Sequence, residues 1–226
     1  GELENTIIIV TADNGMAFPY AKANLQDYGT HIPLAICGPS IKGSSRKVTD
    51  LVGMIDLAPT IMDLAGVKPF DGITGKSLLS IFQSKASGLV DPSRSYVLTG
   101  RERHTHARPD NLGYPARAIR TQQYLYIKNY TPDRWPAGNP PPNKQIGAEG
   151  NADEKLIQGY EDIDASPTKT HMIKERQTFP GLFALGFEKR DAEQLYDIIK
   201  DPYCLKDLAK DKKMLKIKSN LKALLE

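Results

Sequence analysis

Cysteine is scarce: Cys37 and Cys204 are the only two in 226 residues. No CxxC pair and no Cys/His metal spacing accompanies them, which excludes a disulfide scaffold and a zinc module. Long apolar runs are also missing. Stretches such as Ile7–Val10 and Pro33–Cys37 fall far short of the roughly 18 residues that a membrane helix needs. Neither sign of charge dominates, with 30 Lys and Arg against 27 Asp and Glu and a net charge of +3. Nucleic acid is therefore not the default partner. No internal repeat and no leader peptide can be read. The chain opens Gly1-Glu2 rather than with Met and enters a strand pattern within a few residues, so an absent leader carries no information on localisation. What remains is globular in texture, with 40% hydrophobic and 25% charged residues, enough to bury a sizeable core.

Thr6–Thr11 (TIIIVT) is a β-branched run that reads as a buried strand of an α/β sheet. Ile32–Cys37 reads as a second strand, closed by Gly38-Pro39, with Cys37 a buried strand-end cysteine. Residues 49–66 carry helical spacing, with Asp56 as N-cap, Pro59 in the first turn and Gly66 as the stop. This order describes the tail end of a larger sheet, most of which is expected upstream. From residue 86 the texture changes. Ser95–Thr99, Ala116–Thr121, Tyr124–Tyr130 and Gln194–Ile199 are short alternating strands, and Lys206–Leu225 is a Lys-rich amphipathic helix. Between the third and fourth of these strands lies a long irregular stretch, about residues 131–190. It contains the Asn139–Pro142 proline run and a helix opened by Ser166-Pro167 and running to about Gln177. The expected division is 1–88 and 89–226.

Thr11-Ala-Asp13-Asn14-Gly15 sets a carboxylate and an amide at the end of a strand, the edge where α/β sheets bind ligands. Such oxygens suit a hard cation, although Asp-Asn-Gly is equally a good turn. Lys22 follows, either as the holder of an anionic substrate group or as a solvated lysine. A second cluster, Arg101-Glu102-Arg103-His104-Thr105-His106-Ala107-Arg108, follows the Ser95–Thr99 strand, with Tyr114 and Arg117 just beyond. Its arginines suit a sulfated or carboxylated sugar, and it reads as substrate-binding in preference to an exposed polar loop. Trp135 is a sugar platform or a core residue. The lysines of the last helix read as a solvated face rather than a polyanion patch. His31, before the second strand, reads as a structural histidine, and His171 has no identified partner.

Taken in order, Thr6–Gly15, Lys22, Tyr28–Leu34, Asp56–Gly66 (DLAPTIMDLAG), Gly72–Leu79 (GITGKSLL) and Leu195–Pro202 (LYDIIKDP) resemble the second half of the sulfatase family. The spacing from Asp13 to Lys22 is similar to the N-sulfoglucosamine sulfohydrolase (sulfamidase) branch. The resemblance implies an alkaline-phosphatase-like α/β fold. Its tail end would occupy residues 1–88, followed by a small α+β domain of four antiparallel strands and a C-terminal helix. It implies that Asp13 and Asn14 are ligands of one calcium ion, and that Lys22 is catalytic, neutralising a sulfate oxygen. It also implies that Glu102, Arg103, His104, His106, Tyr114 and Arg117 bind the sugar from the smaller domain, opposite a metal site in the larger one. The implied partner is a sulfated saccharide, such as a glycosaminoglycan bearing the N-sulfate of glucosamine. A homodimer is compatible with it, nothing points to nucleic acid or membrane, and the implied compartment is exported (periplasmic) or lysosomal.

One departure matters. Sulfatases use a C/S-x-P-x-R motif oxidised to formylglycine, and the nearest string here, Cys37-Gly-Pro39-Ser-Ile41, has Ile where Arg is required. The formylglycine and the rest of the calcium ligands are therefore expected outside this chain, which alone is expected to turn nothing over. Two rivals stay open: a phosphohydrolase of the same superfamily using zinc or manganese, and a non-catalytic module that binds sulfated polysaccharide.

Overall fold

The computed structural model describes residues 1–141 and 152–226. Pro142, the last residue of the proline run, lies outside them. The chain divides into two compact units, residues 1–12 with 33–98, and residues 13–32 with 99–226. The segment carrying Asp13, Asn14 and Lys22 falls in the second unit.

In the first unit, β1 (Ile8–Thr11) pairs antiparallel with β2 (Leu34–Cys37), Ile9 opposite Ile36. The run expected to be buried is not: Val10 is 60% exposed and Ile8, Leu34 and Cys37 are also exposed. Among the described residues only one side of this pair has a partner, Ile36 packing with Leu78, Ile81 and Phe82. A 3-10 turn (Met54–Asp56) leads into helix α2 (Leu57–Leu64), which Gly66 ends at φ +67. Helix α3 is Leu79–Gln83.

Asp56 sits at the predicted cap, but its side chain does something else. It accepts from the backbone N–H groups of Gly53 (3.0 Å) and Lys76 (2.7 Å) and from Arg94 (2.9 Å). Arg94 also donates to the carbonyls of Lys76 and Ser77. Both charges are buried, at 6% and 5% exposure, so each satisfies the other's desolvated charge.

A four-stranded sheet has the order β3-β4-β5-β6, namely Tyr96–Arg101, Ala116–Thr121, Tyr124–Asn129 and Glu193–Asp197, of which β3 from Thr99 onward and the other three strands build the second unit. These are the four strands predicted, within two residues at each end. The alternation of strand side chains sorts the sheet into two buried faces. Ala116, Ala118, Leu125, Ile127 and Tyr196 form one, together with Tyr20, Leu25, Tyr114 and Cys204. Ile119, Tyr126 and Leu195 form the other, covered by Leu221 and Ile217 of the last helix, α7 (Leu215–Leu225). Tyr20 and Leu25 explain why residues 13–32 belong here. The Tyr20 hydroxyl also donates to the Cys204 carbonyl at 2.6 Å, and Arg120 pairs with Asp27, in the short helix α1 (Asp27–Thr30), at 3.0 Å.

The last helix starts later than its periodicity predicts. Asp207 accepts from the N–H groups of Leu195 and Ala209, and Asp211 from that of Lys213. Those side-chain bonds offer the backbone an alternative to helix. Among the described residues, the stretch expected to be irregular contains three helices: α4 (Ala152–Gln158), α5 (Pro167–Lys174) and α6 (Pro180–Phe187). Ser166 caps α5 as predicted, accepting from the Lys169 N–H at 3.1 Å. Trp135 lies edge-on to Tyr160 in the cluster these helices bury, so packing is its observed role. His31 is exposed, 3.8 Å from Asp27, rather than packed. No helix of the described residues is long and apolar enough to cross a membrane.

Two outcomes test this architecture. Arg94→Ala strands the Asp56 carboxylate in the first unit and should cost about 3–5 kcal/mol, whereas Asp56→Leu with Arg94→Met should cost much less; denaturant titration followed by circular dichroism compares the two. Glu193 accepts from the Tyr126 hydroxyl (2.7 Å) and pairs with Lys218 and Lys222, which together lower its pKa to about 2. A depressed carboxyl stabilises the fold above its ordinary pKa, and that contribution is lost as pH falls through the folded value. Glu193→Gln should therefore flatten the loss of stability between about pH 4.5 and 2, measured as Tm against pH.

Candidate functional site

Residues 13–32 close on themselves through two glycines. The Gly15 N–H donates to the Gly29 carbonyl at 3.1 Å. A Cβ on Gly15 would lie 1.9 Å from the Tyr28 carbonyl oxygen, and one on Gly29 would lie 2.3 Å from that of Asn24. Gly15 is thus required for close approach rather than for an unusual φ. Beside it, Asp13 Oδ1 accepts from the Asn14 N–H (2.9 Å), and the Asn14 amide nitrogen donates to the Gly15 carbonyl (2.7 Å). This leaves the second carboxylate oxygen of exposed Asp13 and the amide oxygen of Asn14 as hard donors. They fit a calcium ion in kind, but they are two where calcium takes about six to eight. No group of three or more His, Cys, Asp or Glu converges among the described residues.

Lys22 lies between two residues held in the left-handed region, Tyr20 at φ 64 and Ala23 at φ 62. Each such residue costs of order 1–3 kcal/mol and persists only where its surroundings over-determine it. Here the Tyr20 hydroxyl is tied to Cys204, and the Ala23 carbonyl accepts from Arg101 at 2.5 Å. The Lys22 ammonium is half-buried and lies 2.8 Å from Asp164 Oδ2.

The 101–117 stretch separates into two kinds of residue. Arg101 and Arg108 point inward and share Asp162 Oδ2, each at 2.5 Å. Arg101 also donates to the Pro136 carbonyl, and Arg108 to those of Trp135 and Pro136. Burial pushes Arg101 down to about 10, with Asp162 opposing that shift and the neighbouring arginines adding to it, so it stays charged at neutral pH. Both guanidinium groups lie over the Tyr114 ring, at 5.5 and 5.7 Å. Tyr114 is 2% exposed and packs beneath the loop.

Glu102, Arg103, His104 and His106 are exposed. Glu102 pairs with Arg117, and Arg103 donates to the Asn111 side chain. His104 Nδ1 lies 3.5 Å from Asp162 Oδ1, which also accepts from the Thr105 N–H.

Asp162 and Asp164, in a stretch read as irregular, and Lys169, in the helix opened by Ser166-Pro167, were missed as site residues by sequence reasoning. The only trace of the carboxylates was an acid alternation, Glu161-Asp-Ile-Asp164, which looks like a solvated loop.

Known proteins resemble this chain over part of their own length. Residues 1–67 match the family described as Sulfatase. An ulvan-active sulfatase of Formosa agariphila is 26% identical over 218 residues, covering 92% of this chain and 30% of that protein. Arylsulfatase K of Gallus gallus is 32% identical over 132 residues, covering 55% of this chain and 23% of its own. Among solved structures, a protein in complex with its substrate D-glucosamine-2-N,6-O-disulfate superposes with a TM-score of 0.61 at 18% identity, over 100% of this chain and 34% of that one. The chain spans about a third or less of the length of these relatives, and none of them singles out the sulfamidase branch. Residues 1–67 are thus similar to the sulfatase family, and the chain has the mixed α/β fold of the solved sulfatase structures it superposes on.

Proposed function

We propose that the complete protein is a sulfatase that acts on a sulfated saccharide of the glycosaminoglycan class, with the N-sulfate of glucosamine as its finer target. One observation carries this reading. The segment bearing Asp13, Asn14 and Lys22 and the 101–108 loop lie in one compact unit, joined through the Arg101 bond to the Ala23 carbonyl. Groups suited to sulfate and groups suited to sugar are thereby held by one scaffold. The names of the relatives and the saccharide bound in the superposed structure support the substrate class.

Asp13 and Asn14 would supply two ligands to calcium, which when bound neutralises charge on sulfate oxygens. The other roles fall to this chain's own side chains. Lys22 presents a charge already oriented before substrate arrives, where it is worth most against charge developing in the transition state. Glu102 accepts from sugar hydroxyls, and His104 donates or accepts. No residue of this chain is assigned the nucleophile, so the chain alone is expected to be inactive.

In the complete protein, Asp13→Ala should abolish hydrolysis and remove bound calcium by elemental analysis. Lys22→Ala should cost about 2–4 kcal/mol, mainly in kcat, with Lys22→Arg keeping part of the rate. Stoichiometric zinc with turnover of a phosphate monoester would replace this reading by the phosphohydrolase one. A paired assay tests the sugar side: His104→Ala should raise KM and lower kcat on the saccharide while leaving a small aryl sulfate nearly unaffected. Equal losses on both substrates would move His104 into the chemical step.

A further inference from the structure

The turn Tyr160–Asp164 carries three carboxylates, Glu161, Asp162 and Asp164, and different segments of the chain bring basic groups to the last two. Asp162, 3% exposed, takes Arg101, Arg108 and the Thr105 N–H. Asp164 takes Lys22 at 2.8 Å.

The turn is itself fixed. The Lys169 ammonium, in a residue 5% exposed, donates to the carbonyls of Gly159 (2.9 Å), Tyr160 (3.1 Å) and Ile163 (3.1 Å), using all three of its donors. Tyr160 is in the left-handed region at φ 54, and its ring packs edge-on against Phe187 at 5.0 Å. The backbone N–H groups of Tyr160 and Asp162 bond to the carbonyls of Asn139 and Ala137. Each contact removes a freedom that the two carboxylates would otherwise have.

We propose that this turn is a positioning element for the sulfated-saccharide site: Asp164 sets the pose of the Lys22 ammonium, and Asp162 the pose of the 101–108 loop. The inference rests on the reading that Lys22 meets sulfate. A lysine ammonium has three N–H groups on a flexible stem. One goes to Asp164, which leaves two for sulfate oxygens and removes the entropy of the search. The same carboxylate repels an incoming dianion at short range. Asp164 therefore exchanges affinity for orientation, which is useful where the transition state, not the ground state, must be held. A residue with a purely structural role would, when changed, weaken rate and affinity together.

The test uses the complete protein and Asp164→Asn, which keeps shape and removes charge at a half-exposed position. The expected result is a kcat about tenfold to a hundredfold lower on the saccharide, together with inhibition by inorganic sulfate that is about threefold tighter. A kcat within twofold of wild type, or weaker sulfate inhibition alongside a lower kcat, overturns the proposal. If the wild-type protein hydrolyses no sulfated saccharide, the functional reading fails separately. Thermal protection by sodium sulfate, against sodium chloride at equal ionic strength, then reads the pair directly. Protection lost in Lys22→Ala and strengthened in Asp164→Asn upholds the pairing, and equal protection in all three proteins overturns it.

Discussion

Two guanidinium groups on one buried carboxylate organise the second unit. Removing Asp162, Arg101 and Arg108 from water carries a desolvation penalty of several kcal/mol per ion. Their mutual attraction offsets part of it, and the carbonyls of Trp135, Pro136 and Ala23 take further donors, while Arg101 Nε and Arg108 Nη1 stay buried without a hydrogen bond. The arrangement is therefore demanding: moving any one member leaves the others charged and dry. That demand reaches Lys22, because the Arg101 bond to the Ala23 carbonyl holds a left-handed residue next to it. The strain around Lys22 is sustained by a charge cluster that never touches it.

The parts of this arrangement that were legible in the sequence are the ones with a local signal. Four strands were visible because Ala116, Ala118, Leu125, Ile127 and Tyr196 alternate with residues of the opposite face. Ser166-Pro167 announced a helix start because cap and first-turn chemistry is confined to a few neighbouring residues. Long-range partnerships had no such signal. The bond from Tyr20 to Cys204, which draws residues 13–32 into the second unit, joins positions too far apart for any periodicity to reveal. Helix α6 escaped notice because Pro180–Phe187 is apolar on nearly all sides, a pattern in which no 3.6-residue period stands out.

The strand pair of the first unit shows the reverse error. Thr6–Thr11 has the composition of a strand buried on both faces, yet Ile8 and Val10 are exposed. Composition reports the environment a segment is suited to, and the described residues supply that environment on one side only, through Ile36 and its neighbours. By contrast Asp56, expected only as a cap, turned out to be the centre of the unit's buried charge. Sequence position located it, while its chemistry depended on Arg94, which carried no motif.

The 101–117 stretch shows how far residue type can stand in for geometry. As a string it is one cluster of acid, base and imidazole. In the fold it is two interleaved sets. Arg101, Arg108 and Tyr114 are spent on holding the loop; Glu102, Arg103, His104 and His106 are exposed beyond it. The split follows from the strand itself. Arg101 ends β3 on a half-buried position of an alternating pattern, so its side chain goes inward and Glu102 goes outward. The inward residue meets Asp162, and that contact fixes where the outward ones stand. A loop that must present several polar groups at defined positions needs an internal anchor, since its exposed members contribute little ordering of their own. The placement of polar groups at this surface is therefore only as well defined as the buried ion cluster beneath it.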